Sequence, residues 1–152
     1  MIRGRGPPVC CQWQHGNAIY PASTAHRASN SGVKGRILIV DDERSILITM
    51  SAILERHGYK VTAAGTVADA KQRLKTGKFD LVLSDLKMEG RDAGYEVLHA
   101  ASQESYHPAT LLVTASPPPA GEWQNNGAKA MLEKPMDLAL LMKTIARLLA
   151  ER

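Results

Sequence analysis

Asp41, Asp42, Asp85, Thr114 and Lys134 carry groups that can bind a metal or hold phosphate, and each follows closely on a short apolar run. Asp41 and Asp42 come after Ile37-Leu38-Ile39-Val40, and Asp85 comes after Leu81-Val82-Leu83. Thr114 follows Leu111-Leu112-Val113, and Lys134 follows the shorter Ala130-Met131-Leu132. Drawn to one place, three carboxylates, a hydroxyl and an ammonium make a site for a divalent cation and a phosphoryl group. Charge is the reason. Two carboxylates about 4 Å apart repel by roughly 4 kcal/mol at an effective dielectric near 20, so three together require a cation. Mg²⁺ takes oxygen ligands and keeps several waters, which suits a few carboxylates and a substrate phosphate. A phosphoryl group on one carboxylate adds oxygens that a lysine and a threonine can hold.

A parallel sheet would bring these residues together. Continuous apolar runs separated by helical patterns read as strands buried on both faces. In an open α/β sheet, ligands sit outside the carboxyl ends of the strands, where the strand order reverses. Between the first run and the next, Ile46, Leu47, Met50, Ile53 and Leu54 recur at helical spacing, with Gly58 as a stop. Lys60–Ala64 alternates weakly and makes a second strand that offers no chemistry. That suits a strand outside the switch point, as in a 2-1-3-4-5 order with the site between the first and third strands. Thr66 and Asp69 suit a helix cap, and Val67, Ala70 and Leu74 form one stripe before Gly77. A third helix carries Val97, Leu98 and Ala101. The last helix, capped by Asp137, has the cleanest pattern: Leu138, Leu141, Met142, Ile145, Leu148 and Leu149. Its stripe is most simply core.

Taken together, VDDE (40–43), FDLVLSDLKM (79–88), LLVTAS (111–116) and AKAMLEKP (128–135) resemble the receiver domain of two-component response regulators, in its stand-alone, chemotaxis-regulator-like form. The resemblance covers roughly residues 36–150. It implies a flavodoxin-like, doubly wound, five-stranded parallel sheet of order 2-1-3-4-5. It implies that Asp85 accepts a phosphoryl group from a histidine kinase or a histidine phosphotransfer protein. Asp41 and Asp42 match the family's acid pair, one binding Mg²⁺ directly and the other at least partly through water, with Asp85 as a further ligand. By the same analogy the backbone carbonyl of Lys87 completes the Mg²⁺ set, with its side chain near the mouth of the site. Thr114 is expected to hydrogen-bond a phosphoryl oxygen, with room left beside it by Ala115, and Lys134 to pair with the phosphate. Pro135 implies a cis peptide that aims the lysine inward. Glu43 reads as a first-turn acid that suits the helix dipole, not as a ligand.

The sequence departs from the family in three places. Glu89 stands where a proline is usual, and Gly94 comes one residue late, so the loop after Asp85 reads as carrying an insertion. Pro117-Pro118-Pro119 cannot lie inside a helix, so the fourth helix is expected to be short, displaced or absent, with Trp123 anchoring what remains. Met131 replaces the usual Tyr or Phe three residues before Lys134.

Composition excludes other classes. A length of 152 residues gives one domain with a real core plus a tail, and 44% hydrophobic content is ordinary for a globular protein. The net charge of +4 comes entirely from Arg3, Arg5, Arg27 and Lys34, because beyond residue 35 the remaining bases and the 15 acids cancel. Nothing in that balance points to nucleic acid. Cys10 and Cys11 are adjacent, with no spacing for a zinc site or disulfide framework. No apolar run approaches the ~20 residues needed to cross a bilayer. Residues 1–35, rich in Gly, Pro, Ser, Asn and Ala, read as a disordered tail, and residues 36–152 as the receiver domain. The expectation is a cytoplasmic phosphorelay module that catalyses its own phosphorylation and signals through an unknown downstream protein, with no membrane or nucleic-acid partner. A phosphorylation-independent adaptor is the alternative, favoured by Met131 and the prolines and opposed by the complete acidic site. A Mg²⁺-dependent phosphohydrolase would want a carboxylate where Lys87 stands.

Overall fold

Alternate residues of the strands pack into opposite layers, and that alternation builds the molecule. The computed structural model describes residues 32–152, of which Val33–Arg152 form one compact unit. Cys10, Cys11 and the rest of the expected tail up to residue 31 lie outside the described residues. The chain runs β1 (Arg36–Val40), α1 (Arg44–Arg56), β2 (Lys60–Ala64), α2 (Val67–Thr76), β3 (Leu81–Asp85), α3 (Gly94–Ser102), β4 (Ala109–Thr114), α4 (Glu122–Asn125), β5 (Ala130–Glu133) and α5 (Leu138–Ala150). All strand pairs are parallel, in the order β2-β1-β3-β4-β5. The expected fold class and strand order are observed.

Ile37, Ile39, Leu81, Leu83, Leu111, Val113, Ala130 and Leu132 face one layer, where they meet Leu54 of α1 and Leu141, Ile145 and Leu148 of α5. Leu38, Val40 and Val82 face the other, against Val67, Ala70 and Leu74 of α2 and Val97 and Ala101 of α3. Strands covered on both faces have no polar side to alternate, which is why they read as unbroken apolar runs. Fully burying a Leu or Ile side chain is favourable by about 1.5–3 kcal/mol, so a one-residue slip in any strand would exchange its two faces at high cost.

The helix ends follow local chemistry. Thr66 accepts a hydrogen bond from the Asp69 amide at the start of α2, and Asp137 accepts one from the Ala139 amide at the start of α5. Gly58, at φ +92°, turns the chain out of α1. Glu43 is the residue before α1 rather than in its first turn, and its carboxylate accepts from Ser45 Oγ at 2.6 Å. After the three prolines, only four residues of α4 form, with Trp123 half-buried against Leu86, Leu98, Leu112 and Ala128. The Lys134–Pro135 peptide is cis.

Candidate functional site

Strand register alone brings the chemistry to one edge. Val40 is paired with Ser84, so Asp41 and Asp85 leave adjacent strands side by side. Asp85 is paired with Val113, which sets Thr114 one step further along the next strand. Thr114 is in turn paired with Glu133, and Lys134 follows directly. Asp41, Asp42 and Asp85 offer carboxylate oxygens within 4.8 Å of one another. Asp41 and Asp85 are buried while Asp42 is exposed, so the acid cluster opens to solvent on one side.

Lys134 is the cation among them. Its Nζ lies 3.1 Å from Asp41 Oδ2 and 3.3 Å from Asp85 Oδ1. Burial works against its charge, but the hydrogen bond and charge of Asp41, and then those of Asp85, outweigh it and hold the ammonium above its ordinary value. Asp85 is held above the usual carboxylate range: burial is the largest cause, Lys134 opposes it, and the charge of Asp41 adds to it. One ammonium therefore faces three carboxylates. The donor set is hard oxygen, open on one side and short of positive charge, which fits Mg²⁺ with part of its water shell retained.

Three residues sit differently from a simple picture of convergence. The Lys87 side chain, more than half exposed, pairs with Asp92 at 2.5 Å. The Thr114 hydroxyl is fully buried and turned into its own loop, donating to Ser116 C=O and accepting from Ser116 N–H, both at 3.1 Å. Met131 packs against the cluster of Leu86, Leu98, Leu112 and Ala128.

Two residues that sequence reasoning missed shape the site. Gly94 opens α3 directly over the end of β3, where a side chain's Cβ would stand 2.3 Å from the Asp85 carbonyl oxygen. Glu89 donates its amide to Asp42 Oδ2 at 3.2 Å, and its carboxylate accepts from the Val67 amide at 3.2 Å. The oddly placed glycine after Asp85 was the available signal for the first. For the second the absent proline was the signal.

A doubly wound sheet with an acid cluster and a lysine at its switch point is the architecture of a receiver. The family model for the response regulator receiver domain matches residues 37–146, and the chain belongs to that family. It is 33% identical over 119 residues to Protein PilH of Pseudomonas aeruginosa, covering 76% of this chain and 98% of that one. It is 40% identical over 82 residues to the alginate biosynthesis transcriptional regulatory protein AlgB of Pseudomonas putida, of whose length it spans 18%. Among solved structures, a CheY-like receiver from Methanospirillum hungatei matches with a TM-score of 0.71 at 32% identity, covering 76% of this chain and 94% of that one. The response regulator TrrA from Thermotoga maritima, solved with Mg²⁺ and BeF, matches at 0.66 and 26% identity over 74% of this chain and 97% of that one. The protein is a two-component phosphoreceiver module, a signalling domain rather than a turnover enzyme.

Proposed function

We propose that Asp85 is the phosphoryl acceptor, that Asp41, Asp42, Asp85 and the Lys87 carbonyl hold Mg²⁺, and that Thr114 and Lys134 receive the phosphoryl oxygens. The observation carrying this reading is the convergence of Asp85 with Asp41, Asp42 and Lys134 at one strand edge. An Asp85 carboxylate oxygen attacks the phosphorus of a phosphohistidine, forming a P–O bond as the P–N bond breaks. The imidazole leaves with the electron pair and takes a proton. Bound Mg²⁺ screens the charge between the carboxylates and the phosphoryl oxygens. Lys134, already 3.3 Å from Asp85 Oδ1, is within reach of an oxygen on the new group. Thr114 joins by giving up its bond to Ser116 C=O, which makes the 115–121 loop the segment that answers phosphorylation.

The donor is a histidine kinase or phosphotransfer protein, and the output is a protein surface. The charge balance of residues 36–152 supports no nucleic-acid role. No described helix is long and apolar enough to cross a membrane, and we place the protein in the cytoplasm, with its kinase-fed phosphoryl donors. Residues 36–152 are the functional unit and 1–35 an appended tail. The adaptor reading has no use for a buried, lysine-paired acid cluster. Incubation with acetyl phosphate and Mg²⁺ should add one phosphoryl group by mass spectrometry, and Asp85→Asn should add none. Equal labelling of both would refute the assignment, and no labelling of either would return the adaptor.

A further inference from the structure

The missing proline and the late glycine after Asp85 have one physical cause. Met88 and Arg91 exchange both backbone hydrogen bonds, each at 3.0 Å, so Glu89 and Gly90 form the tip of a two-residue turn. Their φ values are +55° and +74°. Positive φ at both central positions defines the type I′ turn, which ordinarily takes Asn-Gly or Asp-Gly. A proline, fixed near φ −65°, cannot occupy its first position. A long side chain in the left-handed region persists where its surroundings over-determine it.

Glu89 is held at both ends. Its N–H donates to Asp42 Oδ2, and its Oε1 accepts from the amide of Val67, the first residue of α2. That amide has no partner within its own helix, and a carboxylate there also suits the helix dipole. Arg91 lies 3.5 Å from the second carboxylate oxygen, Oε2. Arg91 also pairs with Glu96, which in turn pairs with Lys71 of α2 at 3.0 Å.

We propose that Glu89 is a positioning residue: its amide aims the Asp42 carboxylate at the metal site, and its side chain couples occupancy of that site to the N-terminus of α2. The inference rests on Asp42 belonging to the metal site. An Asp42 carboxylate that turns toward a cation changes its bond to the Glu89 amide, and the turn tip carries that change to Val67. By linkage, whatever holds the start of α2 also alters metal affinity.

The test is an amide NMR titration of the full chain with Mg²⁺ in wild type, Glu89→Gln, Glu89→Asn and Glu89→Pro. In wild type, the amides of Leu86, Glu89 and Val67 should shift along one saturation curve. Glu89→Gln keeps an acceptor of the same reach and should keep the Val67 shift. Glu89→Asn suits the turn but is too short, and should lose the Val67 shift and, by the same linkage, change Mg²⁺ affinity, though by a smaller factor than the loss of the amide does. Glu89→Pro lacks the N–H and cannot hold the positive φ of the turn, so Asp42 loses this partner in either event. The variant should bind Mg²⁺ about tenfold more weakly or worse, the usual cost of losing a partner that orients a metal ligand. A silent Val67 beside a shifting Leu86 in wild type would overturn the coupling, as would an undiminished Val67 shift in Glu89→Asn. Undiminished affinity in Glu89→Pro would overturn the role of the amide. If no amide near Asp85 shifts in wild type, the metal reading itself fails and the inference falls with it.

Discussion

The loops that follow Asp85 and Thr114 leave the same edge of the sheet, yet the structure holds them by different means. Residues 86–93 are pinned from below by buried Leu86, Met88 and Ala93, and closed on themselves by the Met88–Arg91 turn. They are tied outward to Asp42, Val67 and Glu96. In the 115–121 loop, Ala115, Ser116, Pro117, Pro119 and Ala120 are exposed. Among the described residues, its side-chain hydrogen bonds are those between Thr114 and Ser116. Three prolines stiffen that loop but contribute no N–H with which to anchor it. One loop is a cradle that fixes the acid site. The other is a segment whose side-chain tether, among the described residues, is the hydroxyl that a phosphoryl group would claim.

A direct way to break the cradle at its backbone is Gly94→Ala. The added Cβ would stand 2.3 Å from the Asp85 carbonyl oxygen and 2.8 Å from Leu86 Cα, both backbone atoms that cannot swing aside. We expect a loss of about 3 kcal/mol, the upper end of ordinary overpacking, or a fall in Tm of about 10 °C. Phosphorylation of Asp85 should go with it. A thermal melt within about 2 °C of wild type would show that the end of β3 yields more easily than its contacts suggest.

A paired substitution compares the two loops directly. Met88 is 1% exposed in the α2–α3 layer, and truncating such a side chain to Ala costs about 2–5 kcal/mol. Pro118→Ala removes no buried contact of that kind and should change stability by less than about 0.5 kcal/mol. Urea midpoints would measure both. Equal effects would erase the distinction between cradle and free loop.

Sequence alone carried most of this architecture, because the fold is built from features that are local in sequence. Strands covered on both faces read as apolar runs, and residues at the strand ends must share one edge once the order is 2-1-3-4-5. Asp41, Asp85 and Lys134 therefore met as their positions implied, and the three prolines foretold a short α4. What stayed hidden depends on contacts between distant residues. Glu-Gly lacks the Asn-Gly signature of a type I′ turn, so residues 88–91 read only as an insertion. The reach of Glu89 to Val67 spans 22 positions that no periodicity relates. The pairing of Lys87 with Asp92, five residues on, is likewise a contact that no periodicity marks. Glu43 was expected inside the first turn of α1, but the helix begins one residue later.

A smaller effect is expected at high pH, and it concerns the far end of the free loop. Tyr95 donates to Glu122 Oε1 at 3.2 Å and ties α3 to α4. Burial first, and then the charge of Glu122, push its phenol up to about 12. Tyr106, donating to the Leu74 carbonyl at 2.9 Å, is also pushed up to about 12, chiefly by burial and then by Glu104. The folded chain thus keeps protons that the unfolded chain releases near pH 10. Their contribution to stability is full below pH 10 and declines as pH rises through about 12. Urea midpoints should fall across that window, and Tyr95→Phe should flatten part of the fall. A midpoint in Tyr95→Phe that declines as steeply as in wild type would remove the Tyr95–Glu122 tie from the account.

The smallest change is expected at residue 131. In a typical receiver, an aromatic residue at this position follows the threonine inward when phosphate draws it. Met131 is flexible and has no ring or hydroxyl to act as a two-position gate. It already packs with Leu86, Leu98, Leu112 and Ala128. Amide exchange with and without beryllofluoride, a mimic of the phosphoryl group on Asp85, separates the alternatives. The prolines have no amide to report, so the readout for the free loop comes from Ala115, Ser116, Ala120 and Gly121. Protection should change most there as Thr114 exchanges its Ser116 bond for the mimic. It should change less across 86–94, where the cradle is already tied down, and least across 129–133. A change through 129–133 as large as that at Ser116 would mean that Met131 gates after all, and that the signal leaves by β5 rather than by the loops.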